Sequence, residues 1–162
     1  LSKLHSLDPI SVYPRIAMEV LAERKESAAV PDLIKFTRSW NPDLRYQAIR
    51  ALGNIGDLRA VEPLVKTLQE KKNDLFYRGA LYSLAQLHYE PIRPLVLEMS
   101  KRPDGTNNGA VPLLGLIGNR EDLLMLEDMR KGIHTKDPAV RRIINGSIDD
   151  AVEAIKIREG IK

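Results

Sequence analysis

Four groupings in this chain could do chemistry: a Gly-X-X-Gly, histidines, paired carboxylates and serines. Gly53-Asn54-Ile55-Gly56 has the spacing of a phosphate cradle, in which backbone N–H groups approach an anion closely. Such a cradle follows a strand and, in the Walker form, precedes Lys-Ser/Thr; here a helical pattern comes before it and Asp57 after it. The glycines therefore read as structural. The three histidines, His5, His88 and His134, lie far apart, and none stands in a His-Glu-x-x-His spacing that would put two ligands on one helix face. No metal and no cofactor is expected. Glu121-Asp122, Glu127-Asp128 and Asp149-Asp150 pair carboxylates as general acid-base sites do. They fall on polar helix faces or at helix starts, where negative charge favours the helix dipole. Ser39, Ser83 and Ser147 stand in no nucleophile elbow. No catalytic constellation emerges, so a non-enzymatic role is expected.

What remains is charge and aromatic surface. The net charge is +3, unevenly spread: residues 33–102 carry twelve Lys and Arg against seven Asp and Glu, whereas the flanking segments are each one charge negative. A basic middle could favour an acidic partner or a nucleic-acid backbone. Hydrophobic residues are 43% and aromatics only 5%, the balance of a helical core built from Leu, Ile, Val and Ala. No apolar run is long enough to span a membrane. Zero cysteines exclude disulfides and thiolate sites and leave the compartment open, with the cytoplasm favoured. A chain beginning at Leu1 rather than Met reads as a piece of a longer array or a processed precursor, with no signal peptide visible.

The elements that must position these residues are repeats. "AAVPDLIKF" (28–36) lies 31 residues before "RAVEPLVKT" (59–67), and "EPLVKTL" (62–68) lies 31 before "RPLVLEM" (93–99). "ALGNIGDLRAVEPL" (51–64) returns 62 residues on as "LLGLIGNREDLLML", and "NPDLR" (41–45) returns 96 on as "DPAVR". Leu44, Ala48, Leu52 and Ile55 form one helical stripe, and Val61, Leu64, Val65 and Leu68 another. Helices are expected at 9–25, 28–39, 42–55, 58–71, 74–88, 91–101, 108–117, 120–132 and 137–158. Gly56 and Gly118 should end helices, Asp57 should cap one, and Pro42 and Pro138 suit a first turn. Gly53 and Gly115 should permit close helix packing, and Gly146 should bend or split the last helix.

The segment "NPDLRYQAIRALGNIGDLRAVEPLVKTL" (41–68) resembles the HEAT-like repeat of the phycobilisome-lyase type. It shows an N/D-P-x-x-R start, an A-x-x-A-L-G centre, an I-G-D turn and an A-V-x-x-L second helix. The resemblance implies an all-α fold, an α-α superhelix (HEAT-like α-solenoid) of about nine helices in antiparallel pairs. It implies a single repeat domain over residues 1–162. Departures are informative: Leu87-His88-Tyr89 replaces I-G-D, and the 107–117 unit lacks the arginine start, so irregular turns are expected there. HEAT-like hydroxylases use repeated His-Glu pairs for iron, which this sequence lacks. HEAT-like glycosylases gather aromatic and acidic residues in a groove, whereas Trp40 stands in the turn "RSWNPD" and is expected to pack against the next unit's turn.

In such arrays the second helix of each pair lines the concave side. By that resemblance, 42–55, 74–88, 108–117 and 137–158 form the inner row, joined by 9–25. Three columns follow: Tyr46, Arg78, Asn108 and Arg142; Arg50 and Tyr82; Asn54 and Gln86. Tyr46, Arg50, Asn54, Arg78, Tyr82, Gln86 and Arg142 are the candidate contacts for a protein or peptide partner, since tyrosine and arginine give large contact area with few lost rotamers. Arg45 and Arg141 are expected instead to form structural ladders to Asp43 or Asp74. The alternatives are an accessory role in bilin attachment, implied by the family likeness, and salt-sensitive nucleic-acid binding by the basic middle.

Overall fold

A computed structural model describes residues 12–70, 74–100, 109–132 and 137–161. Among them every regular element is helical: α1 (Val12–Glu23), α2 (Val30–Phe36), α3 (Pro42–Ile55), α4 (Val61–Glu70), α5 (Asp74–Gln86), α6 (Arg93–Ser100), α7 (Ala110–Ile117), α8 (Asp122–Lys131) and α9 (Pro138–Glu159). Short 3-10 turns, Ser27–Ala29, Leu58–Ala60 and Glu90–Ile92, open α2, α4 and α6. The chain divides into two compact units, Leu1–Tyr89 and Glu90–Lys162.

In the first unit the caps expected from sequence are in place. The Asn41 side chain accepts from the N–H groups of Asp43 and Leu44, and Pro42 occupies the first turn of α3. Gly56 ends α3 at φ 83, a left-handed conformation that costs glycine nothing. α3 packs between α1 and α5, while α2 lies on α3 and α4 on α5. The Gly56-Asp57 hinge thus joins α3 to α4, yet α4 packs along the helix that follows it. Positions 32 apart along α3 and along α5 with the turn residue that follows it are buried in register: Leu44 with Phe76, Ala48 with Ala80, Ile49 with Leu81, Leu52 with Leu84 and Ile55 with Leu87. Leu33 and Leu64, 31 apart, are fully buried on α2 and α4. Neither short amphipathic helix could hold its form alone; shared burial supplies the stability.

The turn at Leu87-His88-Tyr89 is not irregular, contrary to expectation. His88 takes the left-handed conformation at φ 51, the His88 N–H donates to Ala85 O and the Tyr89 N–H to Leu84 O, both at 3.0 Å. This is a regular helix-end closure with histidine where glycine is easiest, at a strain of about 1 kcal/mol. His88→Gly is therefore expected to raise stability by about 0.5–1 kcal/mol, read as a higher denaturation midpoint with unchanged m-value. Trp40 also departs from expectation: it is 77% exposed. Its turn is closed without the indole, by the Asn41 N–H donating to Ser39 Oγ and the Ser39 N–H to Phe36 O.

In the second unit α6 packs on α7, and α7 and α8 pack on α9. Asp137 caps α9 as Asn41 caps α3, accepting from the Ala139 and Val140 N–H groups with Pro138 in the first turn. One expectation fails here: Gly146 does not split the last helix. α9 runs unbroken through Gly146 for 22 residues. One glycine costs about 1 kcal/mol in a helix, less than is recovered by burying Ile148, Ala151 and Ile155. Gly118 ends α7 as expected, in an extended conformation at φ −67 and ψ 162 unlike the left-handed Gly56. The last carbonyls of α7 are met instead by Arg158 of α9, whose guanidinium donates to Gly115 O at 3.0 Å, Leu116 O at 2.9 Å and Gly118 O. Gly115 lets the two helices close, its missing Cβ falling 3.2 Å from Ala151 Cα.

Candidate functional site

Six of the seven candidate contact residues lie on two adjacent helices of the first unit, Tyr46, Arg50 and Asn54 on α3 and Arg78, Tyr82 and Gln86 on α5. The register 32 residues apart pairs them as three rungs: Tyr46 with Arg78, Arg50 with Tyr82, Asn54 with Gln86. Successive rungs are one helical turn apart, roughly 6 Å. The third rung is a direct bond, Gln86 Nε2 donating to Asn54 Oδ1 at 2.9 Å. The Tyr46 ring rests on Gly79, where a Cβ would fall 3.1 Å from it, and the Arg50 guanidinium carbon lies 5.9 Å from its centroid. Arg50, Asn54 and Arg78 are exposed, and Tyr82 is exposed to 42%. The rungs are carried on a close helix contact: Ser83 Oγ donates to Ile49 O at 2.9 Å, and Gly53 faces Ser83 and Gln86.

Arg142 is exposed near the start of α9, in the second unit, and Asn108 lies outside the described residues, as do His5 and His134. Arg45 is structural as expected, with different partners: its guanidinium donates to Glu70 at 2.7 Å and stacks on Phe76 at 4.5 Å, rather than bonding Asp43. Arg141 is exposed on α9. The carboxylate pairs are engaged with cations, Asp122 with Arg93, Asp128 with Lys131 and Asp149 with Arg130.

Two polar ties hold the hinges. In the first unit Asp57 accepts from the Arg59 backbone N–H at 2.9 Å and from its guanidinium, which also donates to Ser27 O at 2.8 Å. The Arg59 side-chain hydrogen bonds, foremost, and its backbone N–H hold the Asp57 carboxyl at about 2. In the second unit the cation comes from the other side: Arg93, opening α6, donates to Asn119 Oδ1 at 3.2 Å and Asp122 Oδ1 at 2.9 Å, while the Asn119 N–H donates to Asp122 Oδ2. Sequence reasoning missed this cluster, although Asn119 lies 62 residues after Asp57, the spacing already found for the surrounding glycines. The first tie carries a pH dependence. A carboxyl depressed in the folded state contributes stability present above its unfolded value near 4 and lost as pH falls toward 2. Thermal melts of the protein and of Asp57→Asn, which retains a capping oxygen, are expected to differ at pH 5 and to converge toward pH 2.

The α3 and α5 rungs belong to a helical-repeat architecture among the described residues. The HEAT-repeat family model matches residues 1–85, more than half the chain. The chain belongs to the HEAT-repeat family, and its all-α fold of stacked helix pairs is that family's fold. No curated protein matches it. Among the described residues no helix is long and apolar enough to cross a membrane.

Proposed function

We propose that this chain is a non-enzymatic interaction module that holds a protein or peptide on the α3–α5 face of its first unit, through Tyr46, Arg50, Asn54, Arg78, Tyr82 and Gln86. HEAT repeats commonly serve protein interaction, which supports the coarse reading. The observation that carries the finer one is the three-rung register of exposed arginine, tyrosine and amide side chains across two close-packed helices. Tyrosine and arginine are enriched at binding hot spots, where they supply large contact area and hydrogen-bonding capacity.

Nucleic-acid binding by the basic middle is less favoured, because four of its described cations are already engaged. Lys35, Arg45, Arg59 and Lys66 are paired with Asp32, Glu70, Asp57 and Glu62. Backbone-type binding instead needs several cations aimed outward at phosphates. A bilin-handling role has the sequence likeness alone behind it.

The test is affinity capture with the protein and with a variant carrying Arg50→Ala, Arg78→Ala and Tyr82→Ala, each exposed and outside the core. Loss of the captured partner with retained helicity is the expected result; retention of every partner by the variant would remove the α3–α5 face from consideration. Arg142→Ala, made separately, asks whether the second unit adds contacts.

A further inference from the structure

The side of α9 turned away from its buried residues Ile148, Ala151 and Ile155 is open. At 3.6 residues per turn Arg142, Ile143, Gly146, Asp150 and Glu153 fall on one stripe there, and all five are exposed. Ile143 is 66% exposed, and a Cβ at Gly146 would meet nothing within 4 Å. The charges on the stripe are sorted by sign about the glycine: Arg142 stands four residues before Gly146, Asp150 four residues after it, and Glu153 a turn further on. Arg142, Asp150 and Glu153 make no ion pair among the described residues, whereas Asp149 beside them is engaged by Arg130. Their own helix does not neutralise the first two, because the positions four before and four after Arg142 are Pro138 and Gly146, and those about Asp150 are Gly146 and Ala154. The neighbouring helices do not either: α7 carries no charged residue, and both cations of α8, Arg130 and Lys131, are taken by Asp149 and Asp128.

From this we infer that α9 is a self-association surface: a second copy of this chain lays its α9 antiparallel across the first, crossing at Gly146, so that Arg142 of each copy pairs with Asp150 of the other and reaches Glu153 beside it. The occupant is a second copy because the stripe is its own complement. A helix with a cation four residues before a centre and a carboxylate four residues after it meets opposite charge at both positions when turned end for end about that centre, and the two-fold relation makes both pairs at once. In a parallel pairing Arg142 would face Arg142 and Asp150 would face Asp150, which like-charge repulsion rejects. Gly146 suits the crossing point, since a residue without a side chain lets a second backbone come close. Ile143, about 4.5 Å along the axis from that centre, then fills the space over the glycine of the other copy. A single helix crossing falls short of a standard interface, so the dimer is of the weak, exchanging class, half-dissociated at roughly micromolar concentration or above. The surface lies in the second unit and does not rest on the reading of α3 and α5.

The experiment is sedimentation equilibrium of the full chain from about 1 µM to about 500 µM, repeated on Arg142→Glu, on Asp150→Arg, on their equimolar mixture, on the double variant and on Gly146→Leu. All three positions are exposed, so circular dichroism is expected to show the helicity of the unchanged protein in each variant. The expected result is a reversible monomer–dimer equilibrium that each single charge reversal weakens about tenfold or more, because both symmetric pairs turn repulsive. The mixture should recover the dimer, since one of its two pairs is the original and the other is the same pair with its charges exchanged; the double variant should recover it alone. Gly146→Leu should abolish it by blocking the crossing. A chain that stays monomeric at every concentration, a dimer that the charge reversals or Gly146→Leu leave unchanged, or reversals that weaken it without recovery in the mixture would each overturn the inference. The variant carrying Arg50→Ala, Arg78→Ala and Tyr82→Ala is expected to dimerise as the protein does, and its failure to do so would place the association in the first unit and overturn the assignment to α9.

Discussion

Arg93→Ala is expected to destabilise the second unit by about 3 kcal/mol, a large effect for a partly exposed side chain. Asp122 is 3% exposed, and its two oxygens are met by the Arg93 guanidinium and the Asn119 N–H. The ion pair itself contributes little net stability, because removing both charges from water offsets their attraction. Removing one partner is different: the carboxylate stays buried with half of its hydrogen bonds gone. A fall in Tm of about 10 °C or more, followed by circular dichroism, is the expected readout for a unit of this size. The double variant Arg93→Met/Asp122→Asn, which removes the buried charge with its partner, should recover much of the loss. If the single and double variants were equally unstable, the stranded charge would not be the source of the cost.

Gly53→Ala should also destabilise, by about 2 kcal/mol, even though alanine is the better helix former by about 1 kcal/mol. A Cβ at Gly53 would fall 2.6 Å from the Ser83 Cβ, an atom fixed to the α5 backbone, so α3 and α5 must part. The control is the same substitution at Gly146, where a Cβ meets nothing within 4 Å. There the propensity term acts alone, and Gly146→Ala should stabilise by up to about 1 kcal/mol. Opposite signs for one chemical change, read by chemical denaturation, separate packing from propensity. Ser83→Gly in the Gly53→Ala background should restore part of the stability, and a purely additive double variant would argue against the contact.

The helices were legible because their signals are local. Asn41-Pro42 and Asp137-Pro138 announce helix starts by bonds made within three residues, and Gly56 announces an end by its own φ. Signals that depend on tertiary partners misled. Gly118 ends α7 as its likeness to Gly56 suggested, but its extended conformation, with Arg158 40 residues away meeting the last carbonyls, was not signalled. Gly146 looked like a break, but burial of Ile148, Ala151 and Ile155 against neighbouring helices carries α9 through it. His88 looked like a departure because its residue type is wrong for the geometry, yet the two hydrogen bonds closing the turn enforce it.

The rungs were legible for a different reason. A repeat keeps its register, so residues 32 apart fall side by side once α3 and α5 are recognised as equivalent, and the Asn54–Gln86 bond is that register expressed in side chains. The sequence did not signal the part of Gly79, which seats the Tyr46 ring, because a glycine in mid-helix carries no sign of what lies against it. The Arg93–Asp122 pair, 29 residues apart, becomes visible only when Asn119 is matched with Asp57.

Gly53 and Gly79 have a consequence beyond stability. One sits on each of the two helices where a Cβ would meet the other, so the gap between the rungs is set in part by hydrogen atoms standing where methyl groups would otherwise be. The pair acts as a gauge block. Adding one carbon at either position would push against the facing helix, at Gly53 against Ser83 and Gln86 and at Gly79 against the Tyr46 ring, and so would change the spacing of the proposed contact rungs without changing their residue types.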